Sequence, residues 1–291
     1  MPSSPIPGVN WFDVSEPDSK DLDELAQRFG LHELEVEDCR HTPQRAKLQE
    51  HESYQFCILK RLQPDFSFRE FCLFHGKDFL VTVHRQCSPV MDAVRGRAAR
   101  ENCHRLDRLF YMAVDQVVDE YLPVLDQVAE ETSDIEDMVL ERPDPSMLRR
   151  IFELKRKLIR FRANASAMRE VVNALMRREG GLLGDDLDPY FRDVYDHVIR
   201  VTDLVESYRD LLTGSLDIYL SAVANRTNEV MKVLTVWGTI ALPLVIITGF
   251  FGMNFEHMPW LRSPHGLLDS VLVMVLSTLG VVAFFKRKHW F

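Results

Sequence analysis

The stretch VLTVWGTIALPLVIITGFFGMNF, Val233–Phe255, decides how the rest of the chain is read. It runs for 23 residues without a charge, and a bilayer core of roughly 30 Å takes about 20 mostly apolar residues in helix. A second run, Gly266–Phe285, carries Asp269 as its only charge and reaches the same length with that residue at the interface. Buried core helices are the competing explanation, but uncharged runs of this length are seldom soluble core. Two membrane spans are therefore expected, at about 231–252 and about 266–286, joined by a loop over 253–265. Their C-terminal position does not suit a signal peptide.

The flanks orient the pair. Arg226 and Lys232 precede the first span and Lys286, Arg287 and Lys288 follow the second, whereas the loop from Asn254 to Gly266 holds only Arg262. Basic residues stay on the cytosolic side, so a multi-pass protein of the cell membrane with both termini in the cytosol is expected. Trp260 and Trp290 fall where interfacial aromatics sit. The mean hydropathy of -0.14 averages these spans with a charged remainder. A formal net charge of -9 disfavours nucleic acid and suits a chain that gathers cations. Cys39, Cys57, Cys72, Cys87 and Cys103 show no CxxC spacing and read as reduced packing residues. P-loop, GxGxxG and HExxH motifs are all missing, and no nucleophile and base fall together. Neither an enzyme nor an organic cofactor is expected.

Upstream, the first hundred residues alternate between helix and strand signals. Leu22, Leu25, Ala26 and Phe29 form a helical stripe that Gly30 closes, and Leu31–Asp38 reads as a second short helix. Tyr54–Leu62, Ser67–Phe74 and Asp78–His84 have strand character, the last two joined across His75-Gly76-Lys77. Residues 1–104 are thus expected to be an α/β domain with a meander-like sheet.

Residues 105–229 read as a helical hairpin and a long stalk. Leu106–Leu140 is helical apart from Pro123; Pro143-Asp144-Pro145 stops it, and Ser146 caps a partner helix that runs to Gly180-Gly181. The first arm has ten carboxylates and no Lys or Arg between Arg108 and Arg142, and the second is rich in Arg and Lys. Surface ion pairs between the arms are the expectation, although an acidic helix also gathers counter-cations. From Pro189 no proline occurs until Pro243. At 1.5 Å per residue, a helix over that span is roughly 80 Å long and passes from the cytosol straight into the bilayer.

The remaining residues, 230–291, form the expected pore domain. Asn228, Met231, Thr235, Gly238, Leu242, Val245, Gly249 and Gly252 recur at spacings of three and four, the seam of a helix packed against other helices. Val236, Ile240, Leu244 and Ile247 lie on another face. Periodicity alone leaves two readings open, a close-packed glycine-type helix contact and a pore face.

The span closes on Gly252-Met253-Asn254. With Tyr219-Leu220-Ser221, NRTNEVMKVL at Asn225–Leu234, Leu242-Pro243-Leu244, GMNF at Gly252–Phe255 and Met258-Pro259, the sequence resembles the CorA family of magnesium channels. The resemblance covers essentially the whole chain. It implies an α+β membrane protein with an N-terminal cytosolic α/β domain, long helices forming a funnel and two C-terminal transmembrane helices, assembled as a homopentamer. It implies Mg2+ as transported ion and regulatory ligand, with Co2+ and Ni2+ also passing. Gly252, Met253 and Asn254 would be the selectivity filter, Met231 and Leu234 an apolar gate, and Asn228 and Asp217 polar rings. Such a filter is chemically apt, because Mg2+ dehydrates reluctantly and suits neutral oxygens that meet its water shell. The resemblance also implies regulatory sites between subunits, Glu37 and Asp38 on one facing Asp193 on the next. The sequence departs from the family's pattern at Trp260, where an acidic residue is common, leaving Glu256 as the loop's carboxylate. It departs again at Val245, where threonine is common. A Zn2+ transporter of the ZntB type and a membrane-anchored sensor without transport are the alternative readings.

Overall fold

The structure is a computed structural model that describes residues 6, 8–85, 89–141, 144–177, 181–253 and 265–288. Its contacts divide the chain into two units, Met1–Leu216 and Asp217–Phe291.

In the first unit, β1 (Trp11–Val14), β2 (Lys47–Glu50), β3 (Tyr54–Leu62), β4 (Phe68–Gly76) and β5 (Leu80–His84) form one sheet in the order β1-β5-β4-β3-β2. The meander expected from sequence is its centre: β4 runs antiparallel to β3 from Tyr54↔Gly76 to Leu62↔Phe68, and β5 is antiparallel to β4. Two edge strands add to it, β1 parallel to β5 and β2 antiparallel to β3. Successive residues of a strand point to opposite faces. On one face Phe56, Ile58, Cys72 and Phe74 pack with Leu22 and Leu25 of α1 (Lys20–Phe29) and with Val36 and Cys39 of α2 (Glu33–Arg40). On the other, His75 stacks on Phe110 of α4 (Leu106–Asp119), the helix that follows α3 (Pro89–Glu101). α1 stops as its sequence predicts: Gly30 adopts φ +65° and donates its N–H to the Ala26 carbonyl, a left-handed cap that a Cβ would strain.

α4 yields at Glu120 to α5 (Tyr121–Glu141), so Pro123 falls in a first turn, where no intrahelical N–H is required. α6 (Pro145–Met176) corrects the expected cap. Asp144, not Ser146, is the N-cap; its carboxylate accepts the Ser146 N–H at 2.7 Å, and Pro145 opens the helix. The expected charge pairing of the two arms is also corrected. Among the described residues no ion pair joins α5 to α6. Both helices bury apolar rows, Val128, Ile135 and Val139 on α5 and Ile151, Leu154 and Leu158 on α6, while Glu130, Asp134 and Asp137 face solvent. Of the cations of α6, Arg150 donates to the Met138 sulfur of α5 at 3.3 Å, and others turn elsewhere. Arg162 meets Glu206 at 2.9 Å, Lys155 donates to Thr213 at 2.8 Å, and Lys157 lies over the Phe66 ring at 4.7 Å.

After a 3-10 turn at Asp185–Leu187 comes the expected long helix, α7 (Asp188–Phe251), 64 residues without a break and with Pro243 inside it. In the first unit it buries Phe191, Val194, Val198, Val201 and Val205, a seam at spacings of three and four, and then Leu212 seven residues on. The second unit holds the remainder of α7 and α8 (Gly266–Arg287), both long and apolar enough to cross a membrane. A soluble core helix would be covered, whereas Leu242, Val245 and Ile246 on α7 and Leu268 and Leu272 on α8 are largely bare.

Candidate ion pathway and divalent-cation sites

Each helix of the second unit has one covered row. On α7 it is Val236, Ile240, Leu244 and Ile247; on α8 it is Ser270, Met274, Ser277, Thr278, Val281 and Phe285. The seam expected to line a pore, Asp217, Asn228, Met231, Leu234, Thr235, Gly238, Leu242, Val245 and Gly249, is exposed at every position. A Cβ built on Gly238 or Gly249 meets nothing within 4 Å, so their smallness answers no steric need inside one chain. Thr235 donates its hydroxyl to the Met231 carbonyl at 2.7 Å, which leaves the oxygen lone pairs outward. Those oxygens, like the Asn228 amide, can accept from the water shell of a hydrated cation.

The helix ends where the expected filter begins. Gly252 donates its N–H to the Thr248 carbonyl at 2.9 Å and Met253 donates to Phe250 at 3.4 Å. A Cβ on Gly252 would stand 3.1 Å from the Thr248 oxygen, so a larger residue there requires a shift of a few tenths of an ångström. The last turn of a helix carries carbonyls without intrahelical partners and the negative end of the macrodipole, both favourable to a cation. Asn254 and Glu256 lie outside the described residues, as do Trp260 and Trp290.

The expected regulatory residues sit in the first unit. Glu37 and Asp38 on α2 line a cavity of about 590 Å3 with His32, His41 and Lys47. Lys47 holds Asp38 at 2.6 Å, while Glu37 is exposed, with His41 Nδ1 3.9 Å from its carboxylate. Buried Glu35 anchors the helix behind them, accepting from the Tyr54 hydroxyl at 2.6 Å and meeting His51 at 2.7 Å. Asp193 is exposed on α7, 3.9 Å from His197 Nε2. No hydrogen bond or ion pair joins Glu37 or Asp38 to Asp193 within the chain.

Beside Asp193 lies a group that sequence reading missed. Asp115 and Asp119 of α4 and His197 of α7 offer ligand atoms all within 4.8 Å of one another. Asp115 also pairs with Arg97 at 2.5 Å. Burial, with the neighbouring Asp115 charge, pushes the Asp119 carboxyl above its ordinary range. His197 Nδ1 is buried without a hydrogen bond, its contact to Asp119 at 3.5 Å being electrostatic only. Two carboxylates and an imidazole can hold a divalent cation. The available signal was a pair of i, i+4 spacings, Asp115/Asp119 and Asp193/His197, too common to single out before the two helices are packed together.

The chain matches the family described as CorA-like Mg2+ transporter protein over residues 7–287. It is 37% identical over 294 residues to the cobalt/magnesium transport protein CorA of Thermotoga maritima, covering 98% of this chain and 82% of that protein. In fold it is similar to the complete structure of the CorA magnesium transporter from Methanocaldococcus jannaschii, with a TM-score of 0.86 and 24% identity over 97% of this chain and 91% of that one. The cytoplasmic domain of ZntB from Vibrio parahaemolyticus shares the fold more distantly, with a TM-score of 0.64 and 14% identity over 74% of this chain and 88% of that one. With a soluble α/β unit, long helices, two apolar C-terminal helices and a family match along nearly its whole length, this chain belongs to the CorA-like magnesium and cobalt transporters of the membrane.

Proposed function

We propose that the chain forms a homopentameric channel that carries Mg2+, and also Co2+ and Ni2+, across the cell membrane, with both termini in the cytosol. The observation that carries this reading is the exposed row of α7 that ends at Gly252 and Met253. Five copies of that row around one axis would enclose a path lined by Asn228 and Thr235 oxygens and closed toward the cytosol by Met231 and Leu234, whose apolar rings gate by dewetting. Mg2+ keeps most of its water, so a ring of Asn254 amides with helix-end carbonyls selects the hydrated ion rather than stripping it. The similar Thermotoga protein is named for cobalt and magnesium transport, which supports the same cargo here.

Regulation follows from the acidic sites. Glu37 and Asp38 of one subunit would face Asp193 of the next, with Asp115, Asp119 and His197 alongside. Carboxylates from two subunits repel when empty and are bridged when cytosolic Mg2+ is high, so the ion closes its own channel. Replacing Asn254 with Ala is expected to abolish Mg2+ uptake into liposomes while the assembly stays intact; uptake at the wild-type rate would overturn the filter assignment. Adding Zn2+ to the same assay separates the zinc reading, because a channel for Mg2+ continues to pass Mg2+ with Zn2+ present at equal concentration.

A further inference from the structure

A protein cation already touches the group formed by Asp115, Asp119 and His197. Arg97 of α3 reaches α4 and donates from Nη1 to Asp115 Oδ2 at 2.5 Å. The same guanidinium is held from other sides. Its Nε donates to Glu101 at 3.0 Å and its Nη2 to the Tyr111 hydroxyl at 3.4 Å, while its carbon lies 5.4 Å from the centre of the Tyr111 ring. A planar fork with partners on several edges is a fixed charge, unlike an ammonium on a flexible stem. Glu101 is shared with Arg108 at 2.8 Å, so it does not cancel the Arg97 charge alone. At Asp119, burial and the Asp115 charge push the carboxyl up, and the Arg97 charge opposes them. The field of Arg97 therefore covers both carboxylates.

We propose, building on the regulatory role given to that group above, that Arg97 sets its threshold by weakening its hold on Mg2+. Affinity for a hard divalent cation follows the charge of its ligands. Asp115 and Asp119 carry two negative charges between them, and Arg97 offsets one. It acts twice in the same sense, repelling the ion and occupying an Asp115 oxygen with a charge-assisted hydrogen bond. A sensor has to stand part empty over the range it senses, and a resident guanidinium keeps the group empty until cytosolic Mg2+ is high. Fastening α3 to α4 does not by itself require Arg97, because Glu101 and Arg108 join the same two helices.

The Mg2+ concentration that half-protects the purified full-length protein from chymotrypsin reads the threshold, and the Mg2+-dependent rise in melting temperature reads it without a protease. Arg97→Gln keeps a donor toward Asp115 and removes the charge, so it should lower both readings about tenfold. Arg97→Lys keeps the charge and should stay within about twofold of wild type. A role confined to fastening the helices predicts the opposite sign, since a loosened chain needs more Mg2+ for the same protection. Arg97→Met, read by melting, should shift as the glutamine variant does and replaces it if that variant does not fold. Unchanged or raised thresholds in these two variants overturn the proposal. Asp119→Asn keeps the two possible failures apart. If it raises the threshold while Arg97→Gln moves nothing, the ion site stands and the role of Arg97 falls. If Asp119→Asn itself changes nothing, the ion site falls and the role of Arg97 with it.

Discussion

His75 shows how a single side chain ties the sheet to the helices. It is buried, accepts a hydrogen bond at Nδ1 from the Gln55 amide at 3.1 Å, and stacks on Phe110 with ring centroids 5.2 Å apart. Burial depresses it from 6.5 to about 4, against the opposing pull of the Asp107 charge. The sign follows from linkage: an unfolded chain takes up a proton near 6.5 that the folded chain refuses until about 4, so stability falls as pH drops through that interval. The loss is on the order of 3 kcal/mol at one unit per 1.4 kcal/mol. Denaturant unfolding of the full chain in detergent at a series of pH values should show this slope, and His75→Phe should flatten it even where the variant is less stable throughout. Site residues were legible unevenly at this scale. Glu37, Asp38 and Asp193 came from a resemblance, and the structure shows their surroundings. Asp115, Asp119 and His197 come together only when α4 meets α7, which no spacing along the chain announces.

Elements with a strong local signal were read to within two residues, the expected turn at His75-Gly76-Lys77 shifting because His75 and Gly76 still pair with β3. α1 has an apolar stripe and a glycine stop, β3 to β5 have long apolar runs, and α7 holds no proline between Pro189 and Pro243. β1 and β2 were missed because four residues such as KLQE at Lys47–Glu50 carry no alternation; each is held by its neighbour's ladder, not by its own pattern. The start of α6 failed for a different reason. Asp144 and Ser146 are both good capping residues, and only backbone geometry chooses between them. Asp144 sits at φ -109°, ψ 143°, outside the helix, while Ser146 is already inside it and supplies the N–H. Asp144→Ala should therefore cost about 1 kcal/mol and Ser146→Ala much less, as thermal melting of the two variants would show; the reverse order would restore Ser146 as the cap.

At the scale of the whole molecule, two features of one chain call for other copies. The membrane-spanning helices leave the glycine-bearing seam of α7 uncovered, and Glu37 and Asp38 find no partner at Asp193 within the chain. The proposed ring would satisfy both, with a head-to-tail contact bringing one subunit's α2 to the next subunit's α7 and closing the seam around an axis. Native mass in mild detergent should give five chains; a stable dimer would leave the seam a simple helix contact. Regulation is tested separately from assembly. α7 carries Asp193 near one end and stops at Phe251, just before Gly252, so in the proposed channel an ion held at Asp193 would bear on the same helix that leads to the proposed filter. Asp193→Lys places an ammonium where a divalent cation should sit, and repulsion replaces attraction. Mg2+ should protect the wild-type chain from chymotrypsin, which does not cut at the new lysine. The variant should need about tenfold more Mg2+ for the same protection, a coupling of the usual size for linked sites. His197→Ala should shift the response in the same direction but less, because it removes one donor without adding a charge. Equal protection in wild type and Asp193→Lys would remove Asp193 from the regulatory site while leaving the Asn254 filter to be judged by uptake alone.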